Sequence, residues 1–340
     1  MAPNPSPAPA SLPVRLGVPP GIPDGWYFLR RSRELAAGGV SAVRLGGEDR
    51  VLWRDRGGSV HLQSAWCPHL GAHLGHGGTV DGDRIRCPFH GFAFDGGGAC
   101  VATGYGTRPP PRARLSTTPT MERDGLIFGW QGARPPGWMP DIPPSEGWSP
   151  FALHHWELRG HPQETTENSV DVGHFAWVHG YRDVETVEPM RVDGPHLTAR
   201  YRFGKPVMGA FAPEEIALSV WGLGYSRVEV SDRLVGARFR LLVLPTPIEA
   251  DWIRLTIALA IQDPSLAETA PWRFLPRWVA RHVVAPLVLR NYASDVEADF
   301  VVWSHKSWLS RPALAEGDGP IGAYRAWTAQ FYPEVPCPPP

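Results

Sequence analysis

The chain has 340 residues, 43% hydrophobic and 20% charged, enough apolar material for about two packed domains and against wholesale disorder. Lys plus Arg (33) against Asp plus Glu (34) leaves a formal charge of −1, so no basic field is available for a nucleic-acid backbone. No apolar run is long enough to span a bilayer and no export-signal pattern opens the chain, so the expectation is a soluble, cytoplasmic protein with reduced thiols.

Residues 1–23 carry eight prolines and no hydrophobic period, the composition of a disordered or extended tail. From Gly25 onward come short alternating or apolar runs separated by glycine, at 26–29, 41–45, 51–53, 59–62 and 126–130. They read as strands of a small antiparallel barrel or sandwich, so the first domain, 24–132, is expected to be all-β. Residues 133–150 hold six prolines and read as a linker. The second domain, 151–333, opens with a strand-like run at 151–159 and continues with 164–179, which suits a helix, having no proline and only Gly173. Strand-like runs follow at 197–203, 217–221, 226–230, 237–244 and 252–261, and 281–302 reads as a helix interrupted near Pro286. The pattern is an α+β fold, a mixed sheet with helices at each end, before a short tail at 334–340.

Chemistry enters at Cys67-Pro68-His69-Leu70-Gly71 and Cys87-Pro88-Phe89-His90-Gly91, with 17 residues between His69 and Cys87. Each loop offers one thiolate and one imidazole, and the glycines at 71, 75, 77, 78 and 91 allow tight turns that present N–H groups. A zinc site of two Cys and two His is the competing use, but paired zinc ligands are ordinarily two residues or more apart and one pair here has a single spacer. A [2Fe–2S] cluster with thiolates on one iron and imidazoles on the other needs this mixture. In both loops and their separation the chain resembles the Rieske family, which makes Cys67, His69, Cys87 and His90 the cluster ligands. The extra disulfide of some respiratory members is missing, since its positions are Ala72 and Phe89; the resemblance then implies a lower-potential centre fed by a reductase. His73 and His76 are read as surface or supporting residues, Cys100 and Cys337 as unliganded thiols.

In the stretch 167–179, His174 and His179 stand five apart, offset by about 140° on a regular helix, so converging on one ion requires a bend near Gly173. Asn168, Asp171 and His174 step by three and would share a face. This segment resembles that of the Rieske non-haem iron oxygenases, in which an Asp precedes the first His ligand by three residues and the second His follows after four. By that resemblance His174 and His179 are metal ligands, and Asp171 and Asn168 serve catalysis, Asp171 by joining His174 to a Rieske His of the next subunit in a head-to-tail trimer. The third ligand is a carboxylate on a C-terminal helix: Asp299, in Asp299-Phe300-Val301-Val302-Trp303-Ser304-His305-Lys306, with Asp295 as the fallback. Two imidazoles and one carboxylate on one face of Fe(II) leave positions open for dioxygen.

The C-terminal stretch, Pro312-Ala313-Leu314, Asp318-Gly319-Pro320-Ile321 and Tyr324-Arg325-Ala326-Trp327 onward, resembles the 3-ketosteroid 9α-hydroxylase oxygenase and cholesterol 7-desaturase group. The resemblance implies an N-terminal Rieske [2Fe–2S] domain followed by a helix-grip, START-like antiparallel sheet-and-helix catalytic domain. It also implies a terminal oxygenase that hydroxylates or desaturates a sterol-like substrate with O2. Electrons would come from NAD(P)H through a separate flavin/iron–sulfur reductase or ferredoxin, since no Gly-x-Gly-x-x-Gly motif opens a βαβ unit here. Oxidative demethylation, aromatic-ring oxygenation and a cluster-only electron-transfer or redox-sensing protein that binds lipid are the alternatives. Phe175, Trp177 and Trp303 are candidate pocket residues. Arg273, Arg277 and Arg281, set among Trp272, Phe274 and Trp278, are read as a solvated basic face or a peripheral membrane contact.

Overall fold

The computed structural model describes residues 17, 19–207, 210–232, 236–267 and 272–332. Most of the 1–23 tail, all of 334–340 and Cys337 lie outside the described residues.

The glycine-punctuated runs of the first domain pair into three antiparallel sheets. One contains Gly25–Arg31, Leu126–Gln131 and Thr120–Arg123; the second contains Val40–Leu45, Glu48–Arg54, Val60–Ser64 and Thr117–Thr118. The third, Thr79–Asp81, Arg84–Arg86, Ala93–Asp95 and Cys100–Ala102, has three-residue strands, too short for alternation to mark them in the sequence. Val51, Leu52 and Trp53 are all buried because their strand separates two cores. Val51 and Trp53 pack with Cys67, Cys87 and Phe92, whereas Leu52, on the opposite face of the pleat, packs with Tyr27, Leu45 and Leu62.

The segment 133–150 is packed in place. Trp26 Nε1 donates to the Trp138 carbonyl at 2.8 Å, and Trp138 and Ile142 cover a core shared by Trp26, Phe28 and Phe128 of the first domain and Tyr225, Leu242 and Leu244 of the second. Its prolines remove donors while its tryptophans supply apolar area, so it fills the seam between the two cores.

The second domain's sheet is antiparallel throughout, not mixed as its sequence pattern indicates. Its strand order is Ala152–Arg159, Trp252–Ile261, Arg238–Glu249, Tyr225–Asp232, Ala210–Trp221, His196–Val207, Arg182–Asp193. Six of these form a meander, and Ala152–Arg159 joins its last strand. The chain must therefore cross the whole sheet between Arg159 and Arg182, and the crossing carries α1 (Pro162–Glu167) and α2 (Val172–Trp177). Arg182–Asp193 escapes sequence reading because it is a polar edge strand, with Pro189 and repeated register shifts.

Where one helix is expected over 164–179 there are two, and the break falls at 168–171 instead of Gly173. Asp171 leaves helical geometry, and its carboxylate accepts the His174 N–H at 3.1 Å as the N-cap of α2. Gly173 lies inside α2; the turn that ends it belongs to Gly180, at φ 68°, whose N–H reaches the Ala176 carbonyl at 3.1 Å. The interruption expected near Pro286 is a π turn, Ala280–Val284, between α3 (Arg277–Val279) and α4 (Ala285–His305). Pro286 thus sits inside a helical run unbroken from 277 to 305, and the wide turn just before it accommodates the lost N–H and the ring. A last helix, α5 (Ile321–Thr328), packs on α1. Among the described residues no helix is long and apolar enough to cross a membrane.

Candidate metal centres

The two Cys-His loops are built alike. In each, the cysteine N–H donates to the carbonyl five residues on, Cys67 to Ala72 and Cys87 to Phe92, both at 2.8 Å. The glycine N–H four residues on donates back to the cysteine carbonyl, from Gly71 at 2.9 Å and from Gly91 at 3.2 Å. Those glycines sit at φ 74° and 67°, a left-handed geometry that a side chain disfavours. Both thiols are buried, and burial first, then Cys87 beside it, pushes Cys67 up to about 11. Adjacent buried thiols become thiolates when a cation lies against them, so the donor set fits an iron–sulfur cluster. The His69 and His90 rings are half-buried and 4.7 Å apart, and His69 stacks on Phe92 at 4.3 Å. Around them Leu70, Phe89 and Tyr105 are exposed. His73 pairs with His76 and Trp66, and Cys100 packs on the same core with its Sγ donating to the Ala102 carbonyl at 3.3 Å.

The second set forms where the sheet crossing meets α4. One donor atom from each of His174, His179 and Asp299 lies within 4.8 Å of the others, and His179 Nε2 is 3.7 Å from Asp299 Oδ2. His174 Nδ1 faces the Asp171 backbone carbonyl; donating there leaves Nε2 with its lone pair free. Burial lowers both His174 and His179 to about 4, which keeps the imidazoles neutral at pH 7. Burial also raises Asp299 to about 7, against a hydrogen bond from Asn168 that favours the carboxylate. Two imidazoles that resist protonation, a carboxyl poor in compensating charge and a buried His179 Nδ1 without a hydrogen-bond partner make a cavity wall that a divalent cation fits. The Asp171 carboxyl is partly buried, and burial raises it. Asp295, the alternative third ligand, is turned elsewhere: its Oδ2 is 2.5 Å from Lys205 Nζ and accepts the Tyr181 hydroxyl at 3.3 Å. Glu297 accepts from Trp156 Nε1 at 3.1 Å.

Helix α1 sets the height of this site and is buried along its whole length despite the sequence Pro-Gln-Glu-Thr-Thr-Glu. Its polar groups are matched from the C-terminal region: Arg325 donates to both Glu167 oxygens at 2.6 and 2.9 Å, Tyr324 to the Gln163 carbonyl at 2.9 Å, and Tyr332 to Gln163 Oε1 at 2.8 Å. Five polar residues in a row on a buried helix are tolerated only with partners of this kind.

The triad opens on an apolar pocket whose walls include Phe175, Ile216, Leu218, Leu241, Ile257 and Trp303. Trp177 is not among them: at the end of α2 it is 92% exposed. Sequence reading also misses polar residues in and behind the wall, namely Tyr181, Lys205, Glu214 and Tyr292. The signal is parity: Lys205 continues the inward row Tyr201, Phe203, and Glu214 heads the inward row Ile216, Leu218.

A Cys-His quartet in a small β domain, followed by a helix-gripping sheet that holds a two-His, one-carboxylate cavity, defines the class: a Rieske oxygenase, an oxidoreductase. Within that class the chain belongs to the 3-ketosteroid 9α-hydroxylase family, whose C-terminal domain matches residues 128–332, with the Rieske [2Fe-2S] domain matching 25–113. Cholesterol 7-desaturase of Drosophila melanogaster is 31% identical over 332 residues, 93% of this chain and 76% of that one. A probable 3-ketosteroid-9-alpha-monooxygenase oxygenase component of Rhodococcus rhodochrous is 28% identical, covering 94% and 82%. Among solved structures, NdmA of Pseudomonas putida CBB5 with caffeine aligns at TM-score 0.68 and 19% identity over 89% of each chain, and dicamba monooxygenase with dicamba at 0.65 and 19% over 90% and 96%. At that identity the two share the fold.

Proposed function

We propose that this chain is a terminal oxygenase that hydroxylates or desaturates a sterol-like hydrophobe, with electrons from a separate NAD(P)H-dependent flavin/iron–sulfur reductase or ferredoxin. The observation that carries this reading is a set of half-buried His174 and His179 with buried Asp299, opening directly on an apolar pocket. Cys67, His69, Cys87 and His90 would hold the [2Fe–2S] cluster, and the triad one Fe(II), which supplies dioxygen activation when bound. The chain's own part is positional. Asp171 orients His174 through its carbonyl, Asn168 orients Asp299, and the apolar wall excludes water and holds a C–H bond against the open face. The relatives named for cholesterol and 3-ketosteroids favour a fused-ring substrate. The test is mass spectrometry of products from a sterol and aromatic panel turned over with a surrogate reductase. Products from neither class would reject the reading, and aromatic products alone would move it to ring oxygenation.

A head-to-tail homotrimer, the assembly that the family resemblance implies, is also proposed; it is supported by exposed apolar residues in two regions of one chain, Leu70, Phe89 and Tyr105 around the cluster histidines, and Trp177 at the end of α2 with Val301 of α4 and Leu309 just beyond it. A heterologous contact between such patches closes into a ring and would bring His69 or His90 of one copy to Asp171 of the next. Asp171→Asn is expected to keep trimer mass, cluster and mononuclear iron while lowering turnover about 10–100-fold. An unchanged rate would remove Asp171 from the electron route.

A peripheral membrane contact is also proposed. From Thr269 to Ser294 the chain has four arginines and no acid, and Phe274, Trp278 and Leu287 are exposed, while Tyr292 and Val296, further along α4, line the pocket. Arg277 is paired with Asp263, so Arg273, Arg281 and Arg290 carry the attraction. Sedimentation with vesicles containing phosphatidylglycerol should exceed that with phosphatidylcholine alone and fall in a Phe274→Ser/Trp278→Ser variant. Equal sedimentation with both vesicle types would leave the patch a solvated face.

A further inference from the structure

An apolar pocket has no evident use for buried ionisable groups, yet five polar side chains meet at one end of this one. Lys205 is 2% exposed; its Nζ lies 2.5 Å from Asp295 Oδ2 and 3.9 Å from the centre of the Tyr292 ring. Tyr292 donates to Glu214 Oε2 at 3.2 Å, and Tyr181 to Asp295. Tyr181, Glu214, Tyr292 and Asp295 all face the cavity. Burying a lysine and a glutamate beside a half-buried aspartate costs more than packing leucines of the same size, so their retention calls for a ligand that uses them.

Geometry and charge narrow that ligand. Tyr292, Asp295, Val296, Asp299 and Trp303 form one face of α4, and at 1.5 Å per residue Tyr292 stands about 10 Å along the helix from the triad's Asp299. Lys205 balances Asp295, and burial pushes the Glu214 carboxyl up toward its neutral form, opposed in part by Lys205. Lys205 is already held by Asp295, so it is not free to pair with a ligand carboxylate, and a ligand amine would meet the lysine's own charge. Glu214 Oε2 accepts the Tyr292 hydroxyl, which leaves the other carboxyl oxygen to hydrogen-bond a ligand oxygen. Between the two ends the wall is hydrocarbon: Ile216, Leu218, Val228 and Leu241.

We propose that Glu214, backed by Tyr292 and the Lys205–Asp295 pair, recognises a neutral oxygen function of the substrate, a ring hydroxyl or ketone, held about 10 Å along the pocket from the triad's carboxylate. This deepens the oxygenase reading, on which it rests: Glu214 sets which fused-ring molecules are accepted and which carbon lies at the metal. It is a specificity-determining residue, not a participant in the oxidation.

Binding to the purified holoprotein tests this without turnover. Cholesterol, with a hydroxyl, cholestenone, with a ketone, and cholestene, with neither, are delivered from cyclodextrin and followed by quenching of tryptophan fluorescence. The wild type should bind at least one oxygenated sterol about 10-fold or more tighter than cholestene. Glu214→Leu should erase that ratio by weakening the oxygenated ligand, and Glu214→Gln, which keeps hydrogen-bonding capacity, should restore most of it; cluster absorbance and thermal midpoint report that both variants are folded. Tyr292→Phe should lower the ratio partly. Cholestene bound as tightly as the others, or a ratio unchanged in Glu214→Leu, overturns the proposal and leaves the apolar-pocket reading intact. Binding by none of the three rejects the sterol class and this proposal with it. Discrimination without any oxidised product in the reductase assay sinks the oxygenase reading alone.

Discussion

Asp299→Ala is expected to abolish substrate-dependent oxygen uptake and product formation, by about 10³-fold or more, while leaving the visible spectrum of the [2Fe–2S] cluster unchanged. Loss of a residue that merely supports a metal ligand costs about 10–100-fold; removing one ligand of three should exceed that. The geometry makes the effect selective. Asp299 lies with His174 and His179, whereas Cys67 and Cys87 sit in a separate core that contains neither histidine. Metal analysis of the purified variant should find only cluster iron. Asp299→Asn separates charge from shape, because it keeps the volume and a contact for Asn168 and loses the anion. Asp295→Ala should retain mononuclear iron, since Asp295 is engaged by Lys205 and Tyr181. Wild-type turnover in Asp299→Ala would remove Asp299 from the metal site, whereas a wild-type protein with an intact cluster and no substrate-dependent oxygen uptake would shift the reading to an electron-transfer protein with a lipid-binding second domain.

What could be read from the sequence, and what could not, divides by the range of the interactions involved. The cluster loops are legible because their chemistry needs rare residues at short separations and their turns need glycine, so Cys67, His69, Gly71 and their counterparts announce one another locally. The histidine pair is legible as a pair, but its convergence is not. Gly173 is the position at which the spacing predicts a bend, whereas the chain bends through the Asp171 cap and turns out through Gly180. An N-cap and a left-handed glycine leave a weak mark in a periodicity scan, although Asp171 three residues before His174 is a legible cap in retrospect. The choice between Asp295 and Asp299 lies beyond any local signal, because it depends on Lys205, from a strand about 90 residues upstream, occupying Asp295. The sheet's edge strand was hidden by its polarity, and the α1 burial by a composition that reads as solvent-facing. In each of these cases the deciding partner comes from a distant part of the chain, which is where single-sequence patterning carries no information.

The second large effect is expected at a residue that touches neither metal site. Arg325→Met should destabilise the protein by about 3–5 kcal/mol, the cost of leaving a buried charge without its partner. Arg325 holds both oxygens of the buried Glu167, reaches the Leu309 carbonyl at 2.6 Å through Nη1, and lies 4.1 Å from the centre of the Trp308 ring. Methionine keeps much of the hydrocarbon volume but none of the five donors, so Glu167 must ionise unpaired, take up a proton or drag α1 out of its seat. Each outcome is transmitted to chemistry by the same short path, because α1 runs into Asn168, which contacts Asp299, and then into the Asp171 cap that seats His174. The thermal midpoint should fall by roughly 5 °C or more, and mononuclear iron should be lost on dialysis more readily than cluster iron. Adding Glu167→Met should recover most of the lost stability, since it removes the stranded charge along with its former partner. If the double variant is as unstable as the single one, the ion pair is not what seats α1, and the packing of Tyr324 and Trp327 on Val170 must carry that role instead.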